Sequence, residues 1–193
     1  TLVPPAWMKR LLKSFKGSGI GAVAPAAYVL RHPPGLSLNQ KTVALFDQAI
    51  RQWHRGRQEI VPSLFGFCLV IPKKIMTRLG LFDERFFFGF EDVDYSHRLQ
   101  LAGYRLVKVP SLFIYHQRCG SVTREKENQL FKKAYQVYLA KWQALLGSPS
   151  ILRKTSMETR RAVQRRVRRR LTGNSKFYRR DMKLTQALKG LTV

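Results

Sequence analysis

Three carboxylates packed into four residues, Glu91, Asp92 and Asp94 of the run EDVD, are the side chains of this sequence best placed to move a proton. They follow Gly89 and four phenylalanines, Phe86, Phe87, Phe88 and Phe90. The phenylalanines are expected to bury one side of a loop, and the acids to fall in the first turn of the helix after it. That helix is expected to end at Gly103, because glycine takes the left-handed backbone just past a helix end at low cost. Within it, Asp94 and Arg98 stand four residues apart and can face one another as an ion pair, a structural role. Glu91 and Asp92 sit where unpaired amides and the helix dipole favour charged carboxylates, which suits either an N-cap or a general base.

The elements that must position these acids are read from periodicity and punctuation. A Pro-rich start leads into a helix over about 6–15; GIGAVAPAAYVL reads as a short buried strand, and RHPPGLSLNQ as a loop. Gly17, Gly19 and Gly21 lack the following helix and downstream acid of a dinucleotide fingerprint. Trp53, His54 and Arg55 fall in a polar stretch, where Trp53 is a candidate for stacking on a sugar ring, with a packed surface aromatic as the alternative. Gly66 opens the apolar run GFCLVIP, expected as a strand, and 71–79 as a connecting helix. His116 ends a second apolar run; a lone histidine there is either structural or one ligand of a metal. Residues 125–146 form an amphipathic helix, with Leu130, Phe131, Ala134, Tyr135, Tyr138, Trp142, Leu145 and Leu146 on one broad face that covers a core. Gly147 and Pro149 end it.

Composition bounds the class. The 193 residues are 45% apolar, enough for one sizeable core, and no apolar run approaches the ~20 residues of a membrane span. Cys68 and Cys119 have no metal-ligand spacing and fit a reducing cytosol, with Cys68 a small buried apolar residue. The charge is lopsided: of 36 basic and 11 acidic residues, 14 basic and two acidic fall in the last 43 positions. There Thr155-Ser156-Met157-Glu158 makes a capping box ahead of RRAVQRRVRRRL, in which Val163, Val167 and Leu171 form a stripe too thin for a core. Such a helix repels itself unless it meets an anion.

Taken in order, Gly66 and its apolar run, the 71–79 helix, GLFDE at 80–84, Glu91-Asp92, Arg98, Gly103-Tyr104-Arg105, Pro110, and His116 with Gly120-Ser121 resemble the C-terminal half of family 2 inverting glycosyltransferases. The resemblance covers about 1–147 and implies an α/β fold of the GT-A type, a mixed sheet flanked by helices, followed by a basic helical tail over 148–193. It implies transfer of a sugar from a nucleotide-sugar donor to a glycan or lipid-linked acceptor, in bacterial surface polysaccharide synthesis. Asp92 would be the base that takes the acceptor hydroxyl proton, Glu91 would orient the acceptor, and Gly66 and Trp53 would lie on the substrate side, with Trp53-His54-Arg55 in a variable acceptor loop. His116 matches a late histidine that in some members joins a divalent metal, Mn or Mg. The family's Asp-x-Asp motif has no counterpart here, because TLVPPAWMKRLLKSF resembles the stretch just after it; the chain is therefore expected to be a fragment, inactive alone. The tail is expected to bind anionic membrane surface at the cytoplasmic face. The alternative is a non-enzymatic, basic nucleic-acid-binding protein, disfavoured because the aromatics cluster in apolar runs away from the basic tail and no binding signature is visible.

Overall fold

The computed structural model of the protein describes residues 1–26, 39–116 and 123–146. Its elements are α1 (Trp7–Lys13), β1 (Ile20–Ala26), α2 (Gln40–Trp53), β2 (Glu59–Ile60), α3 (Lys73–Leu79), α4 (Glu91–Leu101), β3 (Arg105–Phe113) and α5 (Arg124–Leu146). The fold is mixed α/β. Among the described residues, β3 is the middle of a three-stranded sheet of order β1-β3-β2, parallel to β1 and antiparallel to β2. No described helix is long and apolar enough to cross a membrane.

The sheet takes this form because β1 and β3 are apolar on both faces, as strands covered by helices on two sides must be. Ala22, Ala24 and Leu106 meet Ile75 of α3 and Tyr95 and Leu99 of α4. Val23, Val107, Val109, Leu112 and Ile114 meet Leu11 of α1. A third cluster sets Val43, Phe46 and Ile50 of α2 against Phe113 and Tyr115. The α4-to-β3 connection is a tight glycine turn: Gly103 has φ 83°, its N–H bonds to the Gln100 carbonyl, and that of Tyr104 bonds to the Leu99 carbonyl. This is the Schellman pattern, in which the residue after the glycine packs back on the helix. Tyr104 and Leu99 then lie so close to β1 that a Cβ on Gly21 would sit 2.6 Å from the Tyr104 Cβ.

Several expectations hold with shifted ends: the first helix is Trp7–Lys13, and α3 starts at Lys73 because Pro72 takes the cap position. Two do not. The run after Gly66 is not a regular strand; only Val70 pairs, in a two-bond bridge to Val23 at 2.9 and 3.0 Å. Its amides are used differently, the Gly66 N–H bonding to a side chain instead of a neighbouring strand. Trp53 lies in no loop but ends α2, a 14-residue helix that the polar reading of this stretch missed. Its start is a reciprocal cap: Asn39 Oδ1 accepts from the N–H groups of Lys41 and Thr42, and Thr42 Oγ1 accepts from the Asn39 N–H. Buried Asp47 ties α2 to the sheet, pairing with Arg10 at 2.5 Å and accepting the Phe113 N–H at 3.0 Å. The loop over 31–38, Cys119, Gly120-Ser121, the residues that end α5 and the tail over 148–193 lie outside the described residues.

Candidate active site

The acids are delivered by a strained turn. Gly89 and Phe90 both have left-handed backbones, φ 82° and 71°. For a phenylalanine that conformation costs on the order of 1 kcal/mol or more, and it persists only where packing enforces it. Here the Phe90 ring is 1% exposed and lies 4.8, 5.4 and 5.2 Å from the rings of Phe131, Tyr135 and Tyr138 on α5. Gly89 is required twice over, by its φ and because a Cβ there would stand 2.9 Å from the Phe131 ring. The expected burial of the phenylalanine loop thus holds for Phe86 and Phe90, whereas Phe87 is largely exposed.

From this turn α4 starts at Glu91 with no side-chain cap on Phe90. Asp92 is 1% exposed and joins two segments: Oδ1 accepts the Val93 N–H and Oδ2 the Gly66 N–H, each at 2.8 Å. Gly66 fits because a Cβ there would lie 3.2 Å from both the Asp92 Cβ and Glu91 Oε1. Glu91 is the less enclosed of the two acids. Next to Gly66, Phe67 stacks on His116 with centroids 5.4 Å apart and 28° between planes. His116 Nδ1 lies 3.0 Å from Thr1 Oγ1. Partial burial holds the imidazole below its usual pKa, which favours the neutral ring with a lone pair to offer.

The structure therefore brings Glu91, Asp92 and Gly66 together and, through Phe67, sets His116 near them. Trp53 is apart from them. The first residue of α2, Gln40, hydrogen-bonds the Val3 carbonyl close to the His116 end of the sheet, and Trp53 is the last residue of this 14-residue helix, about 20 Å along it. Among the described residues no group of three or more His, Cys, Asp or Glu side chains is arranged to hold a metal. Cys68 is half-buried, and that burial pushes its thiol pKa up.

The third acid does what its spacing implies and more. Asp94 is 0% exposed; Oδ2 accepts from Arg98 Nε at 3.1 Å, while Oδ1 accepts from Trp142 Nε1 at 3.1 Å and pairs with Lys141 Nζ at 2.7 Å. Arg98 also donates to the carbonyls of Leu79 and Leu81. Lys141 reaches Asp83 as well, at 2.7 Å, and Arg85 grips that carboxylate with Nε and Nη2 at 2.9 and 2.6 Å. Arg85 first, and Lys141 with it, hold the Asp83 carboxyl far below the usual range against the opposing effect of burial. Sequence reasoning placed Trp142 on a core-covering face and gave Lys141 no partner. The available signal was a lysine next to a core tryptophan, downstream of two acids flanking a phenylalanine run.

No family model matches the chain, and no solved structure matches it. Two curated proteins do, from Mycobacterium tuberculosis strains CDC 1551 / Oshkosh and ATCC 25618 / H37Rv, each named N-acetylglucosaminyl-diphospho-decaprenol L-rhamnosyltransferase. Each is 32% identical to this chain over 118 residues, which take in 56% of this chain and 38% of the relative. The chain thus spans well under half the length of the two curated relatives it matches, and over that span it is similar to bacterial glycosyltransferases that act on a lipid-linked acceptor.

Proposed function

We propose that this chain carries the acceptor-side half of the catalytic centre of an inverting, family 2-like glycosyltransferase of the GT-A type, in the assembly of a bacterial cell-surface glycan. The donor would be a nucleoside-diphosphate sugar, a rhamnose by analogy with the two relatives, and the acceptor a glycan on a polyprenyl diphosphate. The observation that carries the reading is the carboxylate pair at the uncapped start of α4, with Asp92 tied to the Gly66 amide. The similarity to two transferases supports it.

In this reading Asp92 accepts the proton of the acceptor hydroxyl while that oxygen bonds to the donor's anomeric carbon from the face opposite the leaving group. The bond from that carbon to the diphosphate oxygen breaks, its electron pair leaves with the nucleoside diphosphate, and the configuration inverts. A sugar hydroxyl is a poor nucleophile at neutral pH, so a positioned carboxylate is what lets it react. Glu91 holds the acceptor. The test is transfer of radiolabelled rhamnose from its nucleoside-diphosphate form to N-acetylglucosaminyl-diphospho-polyprenol by the whole protein; no transfer with this pair or with a panel of other nucleotide sugars overturns it.

A divalent cation, Mn or Mg, would neutralise the donor diphosphate, with neutral His116 giving one ligand and the others coming from outside the described residues. His116→Ala is then expected to raise the manganese concentration for half-maximal transfer about tenfold, the lower end for losing a ligand-shell residue. A shift in thermal stability with an unchanged metal titration makes His116 a structural partner of Phe67 and Thr1.

The basic tail would hold the enzyme on anionic lipid, each of its arginines near the surface contributing about 1 kcal/mol. Deleting 151–193 is expected to abolish co-sedimentation with phosphatidylglycerol vesicles at low salt, and raising the salt should release the intact chain as the screening length falls below about 8 Å. Equal vesicle binding by the truncated chain ends the anchor role. Preference for RNA over vesicles in competition restores the nucleic-acid reading.

A further inference from the structure

The carboxylate pair is set on a strained turn: Phe90, the residue before α4, is in a left-handed conformation and gives the helix no side-chain cap, and the first-turn amide of Val93 is held by Asp92, a member of the pair itself. Two residues later the helix carries Asp94, 0% exposed, and eight residues before Glu91 the loop carries Asp83. One ammonium group bridges the two: Lys141 Nζ is 2.7 Å from Asp94 Oδ1 and 2.7 Å from Asp83 Oδ2, with the lysine side chain only 11% exposed. The neighbouring Trp142 donates its indole N–H to the same Asp94 oxygen at 3.1 Å.

We infer that Lys141 and Trp142 of α5 are positioning residues for Glu91 and Asp92: by clamping Asp83 and Asp94 together they fix both ends of the turn from which the pair projects. The inference rests on the reading of Glu91 and Asp92 as the reactive pair. Burial makes the clamp matter. A carboxylate excluded from water and stripped of one of its partners must move towards solvent or take up a proton, and either change reaches the first turn of α4. Phe131 and Tyr138, packed on Phe90, place α5 over the turn, but ring contacts tolerate sliding in a way that directional charged hydrogen bonds do not. Arg98 cannot substitute, because its guanidinium holds Asp94 from within α4 and from the 79–81 carbonyls and makes no bond to Asp83 among the described contacts.

The test is amide hydrogen exchange in this chain, using the N–H groups of Gly66 and Val93 as reporters because both bond to the Asp92 carboxylate. Lys141→Met and Trp142→Phe should each speed exchange at Gly66 and Val93 by at least about tenfold, as a local opening does, while Val23 and Tyr115 in and beside the sheet keep their protection. Lys141→Arg should restore slow exchange. In the whole protein the same two variants should lower kcat with little change in donor KM. If Lys141→Met does not fold, Trp142→Phe, which keeps the ring and removes only the N–H, decides the matter. Unchanged exchange at Gly66 and Val93, or a rise shared equally by the sheet amides, overturns the positioning role. Absence of any sugar transfer by the unsubstituted whole protein sinks the glycosyltransferase reading instead and leaves the exchange result standing.

Discussion

Asp92→Asn in the whole protein is expected to lower kcat at least ~10²-fold, the lower range for removing a general base, with donor binding intact. The substitution is close to isosteric, and the asparagine carbonyl can still accept the Gly66 N–H that Asp92 Oδ2 accepts at 2.8 Å. Its amide would then face the Val93 N–H, donor against donor, where the aspartate accepts at 2.8 Å. A stability loss of about 1–3 kcal/mol is the corresponding expectation, so turnover has to be compared at a temperature where both proteins are fully folded. Glu91→Gln in the same assay should act mainly on acceptor KM. If Glu91→Gln instead abolishes turnover and Asp92→Asn leaves it near normal, the base is Glu91, the less enclosed acid, and Asp92 is the strut between α4 and Gly66. Normal turnover in both variants removes the pair from the chemistry.

A pH-dependent loss of stability is expected from His97, at the middle of α4. Its Nε2 lies 2.5 Å from Tyr138 Oη, and its ring is 4.8 Å from that of Trp142. Burial pushes its pKa down to about 4, with Asp94 pulling weakly the other way. The unfolded chain, with an ordinary imidazole near 6.5, then binds more protons than the folded one between pH 6.5 and about 4. Stability from the neutral ring is therefore complete above pH 6.5 and is lost as pH falls through that window. Between pH 6.5 and 5, before most carboxylates titrate, the loss should approach about 2 kcal/mol. Urea unfolding midpoints at steps across this range measure it, and His97→Gln should flatten the slope. An equal slope in wild type and variant assigns the effect to other groups.

Legibility from sequence followed the range of the interaction. The start of α4, the Asp94–Arg98 pair and the Gly103 stop depend on residues within a few positions of one another, and all three stand in the fold as read. The helix α2 was equally local and was still missed. Asn39 and Thr42 announce a cap, and Val43, Phe46 and Ile50 repeat at helical spacing, but Trp53-His54-Arg55 looked polar enough for a loop. The run after Gly66 failed for the opposite reason: apolar composition says that a segment is covered, not that it has a strand beside it to pair with. Nothing local to Asp94 points to Lys141 or Trp142, because they meet it only after the chain has passed through β3 and most of α5. Trp53 and His116 were likewise both candidates from sequence, whereas α2 begins near the His116 end of the sheet and carries Trp53 about 20 Å away along its length.

The two residues that brace the carboxylate turn from α5 lie 48 and 58 positions after the acids they hold, Asp94 and Asp83. Chain growth runs from the amino end at about 5–20 residues per second, so α4 and the three described strands are made seconds before their brace exists. Until residue 142 has left the ribosome, the sheet can pair while Asp94 stays half-matched and the turn unfixed. A chain stopped short of Trp142 by premature termination or proteolysis would keep its sheet and lose its aligned acids. Alignment of the pair would thus depend on α5, a helix made only after the strands and the turn that it braces.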